Sequence, residues 1–246
     1  MANVDRKWIA PAIIVAAFAA SAIAYTRLPS IVTLQMSGLL PFPVPERDEP
    51  GPRWLAAFLI PSVSVVLWLG FRLGTTERAQ RVGRWFFRAA PAETTTAAQF
   101  ERFAKTYETI VLSVVILILG MHAGLLAAAF QRSLIAARII GLTLALFMIA
   151  VGNVMPRLRP NWVAGIRATR VLADPDLWRT THRAFGAALV GAGVLTLVVA
   201  LAAPRYALVT GLALLVVSLV VAFVITMRGS ATKPPAIVVE VNHLRS

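Results

Sequence analysis

The stretch FGAALVGAGVLTLVVALAAPRYALVTGLALLVVSLVVAFVITM, residues 185–227, decides the fold class of this chain. It consists of two apolar runs, Phe185–Ala203 and Tyr206–Met227, which hold no charged side chain and are separated only by Pro204-Arg205. A helix of about 20 apolar residues is long enough to cross the roughly 30 Å hydrocarbon core of a bilayer. Two such runs with so short a link predict a tight helical hairpin within a membrane.

Four more apolar runs of similar length precede this pair, at Trp8–Tyr25, Trp54–Phe71, Ile110–Phe130 and Ile139–Met155. In hydrocarbon the backbone polar groups of a single run can be paired only in a helix. The whole chain is 58% hydrophobic and 14% charged, whereas soluble proteins are about 45–50% apolar and about 25% charged. The sequence therefore predicts an all-α, polytopic transmembrane bundle with six spans.

The first run has a second interpretation. The basic start MANVDRK and the small residues Ala20-Ser21-Ala22 also resemble a secretory signal with its cleavage site. The length of the run and Trp8 at its start, as an interfacial anchor, favour a retained span.

The distribution of Lys and Arg predicts the orientation. Both termini and the second and fourth loops together carry 18 of these residues, and the other three loops carry 6. The positive-inside rule then places both termini in the cytoplasm of a multi-pass cell-membrane protein. The net charge of +13 is accordingly interpreted as an attraction to phospholipid headgroups, without direct binding of nucleic acid.

Two regions are predicted. Residues 1–91 form a two-span region with an irregular outer loop and a basic cytoplasmic linker, in which Arg78, Arg81, Arg84 and Arg88 have helical spacing. Residues 92–246 form a four-span region, and a helix with Glu101 and Lys105 as an i,i+4 pair leads into its first span, which is the third span of the chain. The fourth loop, residues 152–183, lies in this second region.

Few residues of the chain could carry catalysis, and we predict no catalytic, cofactor or metal site and no enzymatic activity. The sequence has no Cys, which excludes disulfides and thiolate ligands. His122 stands alone in the third span, where hydrogen bonding or packing is the more frequent role. Asp174, Pro175 and Asp176 fit the cap, first position and first turn of a helix better than they fit acid–base chemistry.

The fourth loop is dense in polar and basic residues. Gly152 and Asn153 are predicted to close the fourth span, and Pro156 and Pro160 disfavour a continuous helix between them. Gly165 allows a turn, and a helix is predicted to start at Asp174 and to run into the fifth span. On that helix one face carries Trp178 and His182. Arg179 and Arg183, also four apart, repel each other unless an anion lies between them.

The order of residues in this loop resembles the signature of the SdpI-type immunity protein family. The pattern consists of Gly152-Asn153, Met155-Pro156, Arg159-Pro160-Asn161, Gly165-Ile166-Arg167, Trp178 and Thr181-His182-Arg183. The resemblance covers about a quarter of the chain, and these residues are the candidate contacts with a partner or with lipid headgroups.

The resemblance implies a bacterial membrane protein that gives immunity to a secreted killing peptide on the outside. It also implies a possible cytoplasmic repressor held at the basic loops. Two alternatives remain open on the residues alone: a small-solute transporter, and a lipid-processing enzyme that uses His182.

Overall fold

The computed structural model describes residues 8–32, 40–42, 51–74, 97–159 and 164–228. Its helices are α1 (Ile9–Tyr25), α2 (Arg53–Gly74), α3 (Ala97–Ala129), α4 (Ser133–Val154), the short α5 (Thr169–Ala173), α6 (Pro175–Ala202) and α7 (Pro204–Arg228). A 3-10 turn over Met155–Arg157 follows α4, and two antiparallel two-residue strands, β1 (Ile31–Val32) and β2 (Gly51–Pro52), precede α2.

The all-α membrane bundle is confirmed. Five of the described helices, α2, α3, α4, α6 and α7, are long and apolar enough to cross a membrane, and α1 is a shorter apolar helix of 17 residues. The protein is therefore a multi-pass membrane protein. The count of six spans and the cytoplasmic position of the termini stay predictions. The small strand pair that joins the ends of the outer loop was not predicted.

The predicted helical hairpin is confirmed, because α6 ends at Ala202 and α7 begins at Pro204 with Ala203 between them. The predicted bounds of the third loop, Gln131–Arg138, are wrong. The chain turns at Gln131, whose φ is 60°, and α4 already begins at Ser133. Arg138 is exposed on the second turn of α4, from where a long cationic side chain can reach the interface.

Helix α4 lies at the centre of the bundle and packs on α3, α6 and α7. Glycines allow this close approach, as small residues commonly do in membrane interfaces. A Cβ added at Gly193 of α6 would stand 2.9 Å from the Ala145 carbonyl oxygen of α4. The main apolar cluster continues from this crossing, through Met148 and Leu189, to the cytoplasmic end predicted for the bundle.

Helices α1 and α2 pack on each other and on α3. At one end of this arrangement the Tyr107 hydroxyl donates to the Phe71 carbonyl oxygen at 3.4 Å, and at the other the Arg53 guanidinium lies 4.5 Å from the centre of the Tyr25 ring. The region boundary predicted at residue 91, the four arginines of 78–88 and the side chains of the Glu101–Lys105 pair lie outside the described part of the structure.

Candidate functional site

The fourth loop begins where α4 and α6 cross at two glycines. A Cβ added at Gly152 would lie 2.8 Å from the Gly186 carbonyl oxygen, and one added at Gly186 would lie 2.6 Å from the Gly152 oxygen. Gly152 and Asn153 do not close the fourth span as predicted, since α4 continues to Val154. Gly152 is needed because no side chain fits between the two helices, whereas the neighbouring Asn153 is exposed.

The chain leaves α4 after Val154, and no α-helix continues past Pro156, as the proline pattern predicted. The 3-10 turn ends at Arg157, and Leu158 is extended, with φ −68° and ψ 129°. A proline cannot donate the backbone hydrogen bond that continues a helix. Pro160 and Asn161, which belong to the predicted signature, lie outside the described residues.

The start of α6 is the capped terminus that the sequence predicted. The Asp174 side chain accepts from the backbone N–H groups of Asp176 at 2.9 Å and Leu177 at 3.2 Å, and Pro175 occupies the first helical position. Two of the N–H groups that the first turn of a helix leaves unpaired are thereby satisfied, and Pro175 has none to satisfy. From this cap α6 runs without a break to Ala202.

Trp178 fixes the loop to the first turns of α6. Its side chain is fully buried, and its indole Nε1 donates to the Leu158 carbonyl oxygen at 2.7 Å. The indole also stacks on the ring of His182, with centroids 3.9 Å apart. The shared face predicted for Trp178 and His182 is thus confirmed, and the backbone leaving α4 is held by one buried donor.

His182 fastens a second point of the loop, and both of its ring nitrogens are engaged. The backbone N–H of Ile166 donates to Nε2 at 3.1 Å, and Nδ1 lies 2.9 Å from the Trp178 carbonyl oxygen. Because an N–H only donates and a carbonyl only accepts, the proton of the neutral ring belongs on Nδ1. The ring is fully buried, so it serves as a structural bridge between α6 and the loop.

Gly165 makes this bridge possible. Its φ is 103°, in the left-handed region that side chains rarely adopt, and a Cβ there would overlap His182 Nε2. The turn that the sequence predicted at Gly165 is confirmed, and its reason is the imidazole next to it. Sequence spacing indicated the turn; it gave no signal for the contact with a residue 17 positions later.

Thr181 differs from its neighbours in the signature. It is fully buried, yet its Oγ1 has no hydrogen-bond partner in the part of the chain that the structure describes. We call Trp178, Thr181 and His182 the buried cluster. It occupies the interior side of the first two turns of α6.

The other half of the signature faces outward. Its exposed members are Asn153, Pro156, Arg159, Arg167 and Arg183, while Ile166 is half-buried. The repulsion predicted between Arg179 and Arg183 is moderated by an ion pair that the sequence reading missed, in which Arg179 Nη1 lies 3.2 Å from Asp176 Oδ1. The i,i+3 spacing of these two residues was the available signal.

A second buried histidine lies apart from the loop. His122 of α3 is 3% exposed, and its Nε2 lies 2.7 Å from the Ser21 hydroxyl oxygen of α1. This confirms the hydrogen-bonding role expected of a lone His in a span. Within the described residues, its Nδ1 has no partner and no group of three metal-ligating side chains occurs.

Residues 157–229 match the model of the SdpI/YfhL protein family. This segment is similar to the SdpI/YfhL family. The match covers most of the fourth loop and helices α5, α6 and α7, and it confirms the resemblance drawn from the signature. The first part of that signature, Gly152 to Pro156, precedes the match. No curated protein and no solved structure matches the chain.

In the segment similar to this family, the structure brings the Gly165-Ile166 turn, Trp178 and His182 into contact and leaves the signature arginines on the surface. The SdpI/YfhL family is not known as an enzyme family. The geometry agrees with a structural use of its histidine, since His182 is buried and both its nitrogens contact backbone groups. A fixed loop that presents several cations is suited to binding anionic groups.

Proposed function

We propose that this protein protects the cell that makes it against a secreted killing peptide. The observation that carries the proposal is the match of residues 157–229 to the SdpI/YfhL family, for which the resemblance implies immunity. The loop contacts support a defined role for the matched segment, because Trp178 and His182 fix the loop at two separate backbone positions. A loop that served only to connect two spans would not need such contacts.

We further propose that the loop signals by holding a cytoplasmic repressor. The exposed cations Arg159 and Arg167 lie in the loop that the positive-inside rule assigns to the cytoplasm. Arginines on a fixed backbone favour a partner with carboxylates, because each guanidinium can bind a carboxylate with two parallel hydrogen bonds. The partner expected from this chemistry is a protein with an acidic docking face.

The immunity role is tested by expressing the full chain in a bacterium that is sensitive to secreted killing peptides. We expect survival above that of cells with an empty vector, for at least one peptide of a panel. The Trp178→Ala variant, which loses the bond to Leu158, is expected to lose protection. Arg205→Gln is the control, since Arg205 is exposed in the first turn of α7, beyond the other end of α6.

Membrane levels of each variant are measured by immunoblot in the same cells. Absence of protection by the unaltered chain across the panel, at a normal membrane level, would count against immunity. The signalling role is tested by following the location of the repressor when the peptide is added. Protection without any movement of the repressor would support immunity and contradict signalling.

A further inference from the structure

The first turns of α6 lie where a bilayer has its phosphate groups. Arg183 is the last charged residue before Arg205, and the 20 residues between Ala184 and Ala203 carry no charge. In a helix these residues rise about 30 Å, which equals the hydrocarbon thickness. Arg183 is therefore at the boundary of the hydrocarbon, and Arg179 is one turn further into the headgroup layer.

The two arginines differ in their partners. Arg179 forms the ion pair with Asp176, in which the two side chains are 69% and 76% exposed, and such pairs contribute little to stability. Arg183 is exposed and makes no hydrogen bond or ion pair with any residue that the structure describes. The three side chains together carry one net positive charge.

A concavity of about 450 Å³ lies beside them on the outward face of α6, lined by Asp176, Arg179, Thr180, Arg183, Ala184 and Ala187. Its floor consists of alanines. One turn further into the bilayer, a Cβ added at Gly191 would meet nothing within 4 Å, and beyond it Val194 is 48% exposed. Beyond the concavity, the surface of α6 at these two positions is therefore open and apolar.

We propose that this surface is a binding site for one anionic phospholipid. The phosphodiester lies between Arg179 and Arg183 and accepts from both guanidinium groups, and the Thr180 hydroxyl is a further donor. One acyl chain runs along Ala187 and Gly191. A phosphodiester carries a single negative charge, which balances the single net positive charge of the three charged lining side chains.

A lipid fits this surface better than an acidic protein segment does. The concavity is followed by an open apolar surface in the region that hydrocarbon covers, where the carboxylates of a protein would lose their hydration. Charge-assisted hydrogen bonds to a phosphate are also stronger near that boundary than in bulk water. The site does not depend on the proposed immunity function.

The test is native mass spectrometry of the purified full chain, titrated with phosphatidylglycerol and, separately, with zwitterionic phosphatidylcholine. We expect one phosphatidylglycerol to bind in preference to phosphatidylcholine. Arg183→Gln should weaken that binding about tenfold, as expected for the loss of one charge-assisted hydrogen bond. Arg228→Gln is the matched control, an exposed arginine at the end of α7, and should leave the affinity unchanged.

A second variant tests the concavity without altering charge. Ala187→Leu enlarges an exposed side chain that lines the concavity and should weaken phosphatidylglycerol binding, while Ala213→Leu, at an exposed position of α7, should not. Equal affinity of Arg183→Gln and the unaltered protein would overturn the site. Competition by inorganic phosphate as effective as by the lipid would overturn the lipid assignment and indicate a free anion.

Discussion

The two buried histidines of this protein show two different ways of using an imidazole. His182 is bound to the backbone at both nitrogens, and both partners lie within 17 residues of it in sequence. His122 bonds one side chain 101 residues away and has no partner at Nδ1 among the described residues. The first organises a loop; the second links α1 to α3. The loop should therefore depend on local residues, and the polar contact between α1 and α3 on this one pair.

The largest effect is expected from Trp178→Ala, which removes contacts that hold the loop on α6. It removes a fully buried indole, its stacking on His182 and its hydrogen bond to Leu158. We expect a loss of about 3–5 kcal/mol in the free energy of unfolding, measured by SDS-induced unfolding in mixed micelles. Trp8→Ala, at a side chain that is 62% exposed, is the control. A similar loss for both variants would contradict the role of Trp178.

Gly165→Ala is expected to give the second-largest loss in the free energy of unfolding, because it strains the backbone beside His182. The new Cβ would be placed at a φ of 103° and would overlap His182 Nε2. The strained backbone alone costs about 1–3 kcal/mol, and displacement of the imidazole adds to this. The same unfolding measurement applies to Gly70→Ala, where nothing lies within 4 Å, and this control should be neutral or slightly stabilising. Full stability of Gly165→Ala would show that the turn tolerates a side chain.

A double-mutant cycle on Ser21→Ala and His122→Ala measures the coupling free energy of the contact between α1 and α3. Hydrogen bonds between membrane helices contribute about 0.6 kcal/mol on average and up to about 1.7 kcal/mol. We expect a coupling free energy in that range, because the Ser21 oxygen and His122 Nε2 are 2.7 Å apart. Additive effects of the two substitutions would mean that the pair makes no effective bond. The cycle also cancels the packing that each substitution loses separately.

Thr181→Val gives the smallest expected effect. The hydroxyl is buried without a hydrogen bond in the described part of the chain, so replacing it with a methyl group removes an unsatisfied polar atom. We expect stability to be unchanged or to rise by up to about 1 kcal/mol. Thr196→Val is the control, because its hydroxyl donates to the Ala192 carbonyl oxygen at 2.8 Å, and this variant should not be stabilised. A clear loss of stability at Thr181 alone would reveal a partner for its hydroxyl.

Local signals in the sequence predicted the local parts of the fold. Asp174 and Pro175 predicted the start of α6, Pro204 predicted a tight hairpin, and the i,i+4 spacing of Trp178 and His182 predicted their common face. Each of these features depends on residues within a few positions of one another. Their physical basis, capping and helical periodicity, is visible in a single sequence.

Contacts between distant segments could not be predicted in the same way. Leu158 and Ile166 contribute backbone groups to the loop, and backbone groups carry no residue-specific signal. Ser21 is one small residue among many in its run, so nothing in the sequence connects it with His122. The start of α4 was missed because Arg138 was taken as the last residue of the third loop. A long cationic side chain is nevertheless tolerated near the end of a membrane helix.

The single-residue connection at Ala203 has a mechanical consequence. Helix α6 is a continuous rod of 28 residues, about 42 Å long, with that connection at one end and Trp178 and His182 at the other. A ligand that drew the Ala203 end of the hairpin along the membrane normal would move both aromatic rings away from the carbonyl of Leu158 and the amide of Ile166. The stroke needed is short, since a hydrogen bond of 2.7 Å is lost within about 1 Å of extension.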